Sequence, residues 1–138
     1  MAIETINRRN FTLGLSAALV ALMISPGVAL AKSGVHTPAK GSAERKAIMD
    51  AMRAKGGDPD RVFIVRRLKI SGNWAWLDCD PQSRDGSNHY EPESALLRNS
   101  GGKWKVVDQP CGEGDCDFDS EVSRIRDENP QAPDAIFP

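Results

Sequence analysis

The chain has 138 residues, 18 basic and 19 acidic, for a formal net charge of −1, and 40% of it is hydrophobic. So even a balance speaks against a polybasic nucleic-acid binder, and the length allows a single domain behind a leader. A domain of this size buries about two thirds of its unfolded surface and can fold without a metal.

The first 31 residues have the three parts of a cleavable signal peptide. Arg8-Arg9 stand before an uncharged stretch, Asn10 to Ala31, that ends in the small-x-small sequence Ala29-Leu30-Ala31. The strongly apolar part, Phe11 to Ile24, is shorter than the roughly 20 residues a membrane-spanning helix needs. Pro26-Gly27 break the helix before the cut, and no cysteine follows to carry a lipid. Asn7-Arg8-Arg9-Asn10-Phe11-Thr12-Leu13 resembles a twin-arginine export signal, although Asn precedes the pair and Thr12 replaces an apolar residue. The general secretory route fits the same residues. The expected product is periplasmic or secreted and has no membrane attachment after cleavage.

Residues 32–41 show no periodicity and read as a mobile leader. The single α+β domain is expected over residues 42–128, with an irregular tail over 129–138. Ser42 is a candidate N-cap. Ala43, Ala47, Ile48, Ala51 and Met52 recur at helical spacing until Gly56-Gly57, so one amphipathic helix is expected to lay its stripe on a sheet. From Arg61 to Ile70 the chain alternates, with Val62, Ile64, Leu68 and Ile70 on one face and Phe63 and Val65 on the other. Ser71-Gly72-Asn73 signals a hairpin into a second strand, Trp74 to Cys79. After a polar loop, Asp80 to Asn88, a third strand is expected over Tyr90 to Arg98, with Pro92 marking an edge or bulge. Asn99-Ser100-Gly101-Gly102 turns into a fourth strand, Lys103 to Asp108. Asp117 to Glu128 reads as a short helix with acids at its start and arginines near its end, as the helix dipole favours.

Charge is unevenly spread beyond residue 31. Residues 32–70 carry 10 basic and 4 acidic side chains, residues 71–138 carry 6 and 14, and the fold is expected to bring the two signs together. The three cysteines, Cys79, Cys111 and Cys116, predict one disulfide and one leftover thiol in an oxidising compartment. Cys111–Cys116 would close a small glycine-containing loop, whereas Cys79–Cys111 would tie two strand ends. Spacing does not choose among the three pairings.

Trp74 and Trp76, two apart on a strand, face one side. They are expected to cover the helix stripe beside Trp104, or else to form an aromatic platform anchored by Trp76 and Tyr90. His89, Glu91 and Glu93 would share a strand face if Pro92 leaves the alternation intact, and such a set suits metal binding or acid–base work. A solvated strand face is the simpler reading. His36, in the leader, offers no fixed second ligand. The run Glu113-x-Asp115-x-Asp117-x-Asp119-x-Glu121 fails as a calcium loop, because Ser120 occupies the turn-glycine position and Arg126 the bidentate-acid position. Cys79, between Asp78 and Asp80, lies in the wrong field for a reactive thiolate. No phosphate-cradling, zinc-protease or nucleophile-elbow motif occurs. No catalytic residue, metal or cofactor is therefore assigned.

The succession E-R-K-A-I-M-D-A-M-R, N-W-A-W-L, Y-E-P-E-S-A-L-L-R and G-G-K-W-K-V-V, over about residues 42–108, resembles small uncharacterised exported bacterial proteins. The resemblance carries no activity to transfer. The order of one helix and a four-stranded meander is also similar to cystatin-like and nuclear-transport-factor-like folds, which host inhibitors, binding modules and enzymes alike. The expected function is an exported non-catalytic binding protein whose partner is an envelope protein, as inhibitor or accessory subunit. The alternatives are a binder of cell-wall glycan, peptide or a small ligand, and a small hydrolase-like enzyme built on His89 and its neighbouring carboxylates. Nucleic acid is not an expected partner.

Overall fold

The computed structural model describes residues 34–112 and 114–138. The export signal read over residues 1–31 and Glu113 of the acidic run lie outside them. The elements in order are α1 (Ala43–Gly56), β1 (Val62–Ser71), β2 (Trp74–Gln82), β3 (Glu93–Ser100), β4 (Lys103–Asp108), α2 (Phe118–Glu128) and a 3-10 turn at Asp134–Ile136. The four strands form one antiparallel sheet in the order β1-β2-β3-β4, so the chain is α+β with a meander sheet.

Local chemistry accounts for the boundaries. The Ser42 side chain accepts a hydrogen bond from the Arg45 N–H at 3.2 Å, satisfying one of the free donors at the start of α1. Gly57, at φ 70°, closes the other end, its N–H donating to the Arg53 carbonyl. Gly101 and Gly102 both have positive φ, 60° and 82°, and form the two-residue turn between β3 and β4. That handedness matches the strand twist and would be strained for residues with a Cβ.

The sheet is covered on both faces. Beneath α1, Ile48, Met49 and Met52 pack on Phe63, Leu68, Ile70, Ala75, Leu77, Cys79, Ala95, Leu97 and Trp104. On the opposite face Trp76 and Leu96 are buried by Val122 and Ile125 of α2 and by Ala132, Ile136 and Phe137 of the tail. The indoles therefore do not lie under the first helix, and Trp104 is not beside them. Alternation along β2 sends Ala75 and Leu77 to α1, and Trp74 and Trp76 to the other side.

Three further expectations are corrected. In β1 the register against β2 shifts between Val65 and Arg67. The extra residue, Arg66, reverses the alternation, so Phe63 and the partly buried Val65 join Leu68 and Ile70 under α1, while Ile64 is left 49% exposed. The stretch before α1 is tied down from His36 onward. His36 exchanges two backbone hydrogen bonds of 2.8 Å with Ile70, and the Thr37 hydroxyl donates to the Leu68 carbonyl at 2.9 Å. These contacts satisfy backbone groups that edge strand β1 would otherwise present to solvent. The tail is also ordered into the fold: the 3-10 turn sets Phe137 against Trp76, ring centroids 5.2 Å apart, and Arg67 donates to the Phe137 carbonyl.

Candidate functional site

The residues singled out from sequence separate in the structure. Trp76 is 0% exposed, its indole N–H donating to Asp78 Oδ1 at 2.9 Å, so it is a core residue with a satisfied donor and presents nothing to a ligand. Trp74 is half-buried, with the Arg98 guanidinium 5.1 Å from its ring centroid. Tyr90 is 40% exposed but lies at the other end of the sheet, stacked on Arg61 at 4.8 Å. No shared aromatic platform forms.

His89, Glu91 and Glu93 are likewise not brought together. β3 begins only at Glu93, after Pro92. His89 is held by an isolated bridge to Gln82, Glu91 is exposed, and Glu93 accepts a 2.9 Å hydrogen bond from Arg61. His36 has a neighbour after all, its Nε2 lying 3.0 Å from Glu44 Oε2. Among the described residues no three His, Cys, Asp or Glu side chains are grouped to hold a metal ion.

Cys111 and Cys116 are paired at disulfide distance, their Cα atoms 6.0 Å apart, and Cys79 is the free, buried thiol. Burial first, and then the charges of Glu93, Asp80 and Asp78, push the Cys79 thiol up to about 12. It is inert at neutral pH. The expected meeting of opposite charges is realised in part. Arg61–Glu93, Arg66–Asp80 and Arg84–Asp60 join the two halves of the sequence, while the other ion pairs among the described residues, such as those of Arg124, stay within one half.

A concave surface lies where β3 begins. One cavity, of about 320 Å³, is lined by residues that include Lys55, Pro92, Ser94, Cys111 and Phe118. A second, of about 340 Å³, is lined by Arg66, Asp78, Pro92, Ser94 and Phe118. The two share Pro92, Ser94 and Phe118 and form one cleft, bounded by the end of α1, the disulfide loop and the first turn of α2. Phe118 stands between them, 42% exposed.

Each wall of this cleft is positioned by a traceable contact. Phe118, Val122 and Ile125 follow helical spacing, but only Val122 and Ile125 are buried, and Phe118 is the end of the stripe left exposed. The Cys111 N–H donates to Glu121 Oε2 at 3.2 Å, anchoring the disulfide loop to α2. The hydrogen bond from Arg124, and then that from Cys111, holds the Glu121 carboxyl below its usual range. The Ser120 hydroxyl does the same for Asp117. On the floor, Asp78 Oδ1 accepts from Ser94 Oγ at 2.6 Å as well as from the Trp76 indole. The acidic run thus divides among separate partners beside the cleft.

Sequence reading missed Phe118, Ser94 and Arg66 as surface-forming residues. The spacing of Phe118 to Val122 and Ile125 was an available signal, whereas Ser94 and Arg66 enter only through strand register. Comparison with known proteins finds no matching family model, no similar curated protein and no similar solved structure.

Proposed function

We propose that this chain is an exported, non-catalytic binding protein of the periplasm or extracellular space, acting on a protein partner as an inhibitor or accessory subunit. The partner offers a segment with an apolar side chain and basic flanks to the cleft at Phe118. The observation that carries the reading is Phe118 itself, an aromatic side chain half in solvent at the shared lip of two cavities. Aromatic side chains, Phe among them, are enriched in protein interfaces relative to the rest of the surface. Asp117 and Asp119, exposed on either side of Phe118 in the chain, favour a basic flank outside the lip and speed its encounter, while Lys55 and Arg66 line the inner walls. The Cys111–Cys116 pair fits an oxidising compartment. Among the described residues no helix is long and apolar enough to cross a membrane.

The test compares immobilised wild-type protein with Phe118→Ala in capture from an envelope extract. Because Phe118 is partly exposed, the variant keeps the wild-type melting curve, and it loses the captured protein by at least about tenfold in affinity. Equal capture by both proteins rejects the cleft as the binding surface.

A further inference from the structure

The opposite end of the same sheet carries a second surface. Strand register places Ser71, Trp74, Arg98 and Lys105 in one row across all four strands, on the face covered elsewhere by α2 and the tail. Lys103 lies two positions from Lys105 on the same face. Arg98, Lys103 and Lys105 are all exposed and form no ion pair among the described residues. This stands out because residues 71–138 carry only 6 basic side chains against 14 acidic ones, and three of those six meet here.

Arg98 is held for binding. Its guanidinium stacks on Trp74, which restricts the side chain while leaving the planar N–H edge free, the geometry that grips a carboxylate through two parallel hydrogen bonds. Beside the stack is a cavity of about 230 Å³ lined by Trp74, Arg98, Glu128, Asn129, Pro130 and Gln131. Glu128 is taken up by Arg124 at 2.7 Å, so it does not neutralise Arg98. The lining combines an indole and a proline ring with two amides, one guanidinium and the Glu128 carboxylate, which is already paired with Arg124. Apolar ring faces suit the C–H face of a sugar, amides suit hydroxyl and acetamido groups, and the guanidinium suits an acid. A bare phosphate uses only the last of these, and a lipid surface needs protruding apolar side chains instead of a concave wall.

We propose that this end of the sheet binds an acidic glycan, a pyranose bearing a carboxylate, with Arg98 on the acid and Trp74, Pro130, Asn129 and Gln131 around the ring. Lys103 and Lys105 raise its local concentration and contact further acidic groups along the chain. The site is separate from the cleft at Phe118, which lies at the other end of α2, about 16 Å away for a helix of 11 residues.

The experiment is calorimetric titration of the purified protein, with nuclear magnetic resonance of its indole N–H groups alongside, using peptide-free wall oligosaccharides in which the N-acetylmuramic acid carboxylate is free, and N-acetylglucosamine oligomers of the same length. Inorganic phosphate and anionic phospholipid vesicles are run in parallel. The muramic oligomers are expected to bind at least tenfold more tightly than the neutral ones, and to perturb the Trp74 indole resonance. Arg98→Gln should lose about tenfold, with no rescue by Arg98→Lys, which lacks the fork; Lys105→Gln should lose less. Phe118→Ala should leave this binding unchanged, so that failure here is distinguishable from failure of the protein-partner reading. Equal binding of neutral and acidic oligomers, undiminished binding by Arg98→Gln when its melting curve is unchanged, or binding of phosphate or vesicles as tight as that of muramic oligomers overturns the proposal. So does the absence of any binding.

Discussion

The two faces of the sheet are buried by different means. Under α1 the cover is one capped helix joined to β1 by a short connection, and its apolar stripe meets a wide aliphatic floor. On the other face the cover is α2 and the last residues of the chain, brought from as far as 70 positions away, as in the contact of Arg67 with the Phe137 carbonyl. This second core is smaller, and polar anchors frame it: the Trp76 indole on Asp78, and Arg124 of α2 on Asp108 of β4. The polar contacts of α1, Glu44 with His36 and Arg53 with the Arg61 carbonyl, reach only segments eight residues away in the chain. A cover that arrives late in the chain needs directional contacts to fix where it lands, and its two ends flank the two candidate binding surfaces.

One residue type allows the faces to be compared directly. Trp76→Ala and Trp104→Ala each remove a buried indole, so each should cost about 3–5 kcal/mol in denaturant unfolding. Only Trp76→Ala should also speed hydrogen exchange at Ile136 and Phe137, because Trp76 is what the tail packs on. If Trp104→Ala loosens the tail equally, the two faces are one undivided core and the contrast fails. Next in size is the disulfide. Replacing Cys111 and Cys116 with Ser should cost about 2 kcal/mol on the chain-entropy estimate for so short a loop. Because the Cys111 N–H still reaches Glu121, the near-wild-type circular dichroism of α2 should survive; a lost helix would show that the bridge, not the hydrogen bond, sets the loop.

These differences also mark what was legible beforehand. Ser42, the helical spacing of Ile48 and Met52, and Gly57 act within a few residues of one another, so α1 could be read directly. The hairpin glycines are equally local. Two-sided burial was written in Trp74-Ala75-Trp76-Leu77 and Ala95-Leu96-Leu97, where apolar residues continue without polar alternation, as they do in strands covered on both faces. The expectation that Trp74 and Trp76 cover the α1 stripe overlooked that continuity. The bulge at Arg66 was less accessible, since only pairing with β2 reveals which strand carries the extra residue. Of the candidate surfaces, Trp74 was marked by its side chain, but Arg98 and Lys105 join it through register alone, and Phe118 matters because the packing of α2 leaves it exposed.

A smaller effect tests whether α1 is as self-contained as its local contacts imply. Ser42→Ala removes the acceptor for the Arg45 N–H and should cost about 1 kcal/mol. Ser42→Asp, which keeps the acceptor and adds favourable charge at the positive end of the helix, should restore it. A Ser42→Ala loss well above that size would show that the cap also holds the preceding His36–Ile70 pairing, and would tie the leader's attachment to the helix.

Acid should act more softly, and mainly away from the α1 core. Asp85 is lowered to about 2, first by the Ser83 hydroxyl and then by hydrogen bonds from Ser87. Asp117 and Glu121 are lowered by Ser120 and Arg124 respectively, and Asp50 on α1 by Lys46. Each of these carboxyls holds its proton less tightly folded than unfolded. The stability they contribute is therefore complete above the ordinary carboxylate range, near pH 4 to 4.5, and is lost as pH falls through the lowered folded values. All four lie at the surface, so the individual effects are small and salt-sensitive. Three of the four belong to the loop after β2 and to α2, and only Asp50 belongs to α1. Between pH 5 and pH 2, hydrogen-exchange protection, taken relative to the intrinsic rate at each pH, should consequently fall first at Ser87 and along α2, with Ile48 and Met52 protected to lower pH. Simultaneous loss of protection on both faces would mean that Asp117 and Glu121 do not set the stability of α2 independently of the first face.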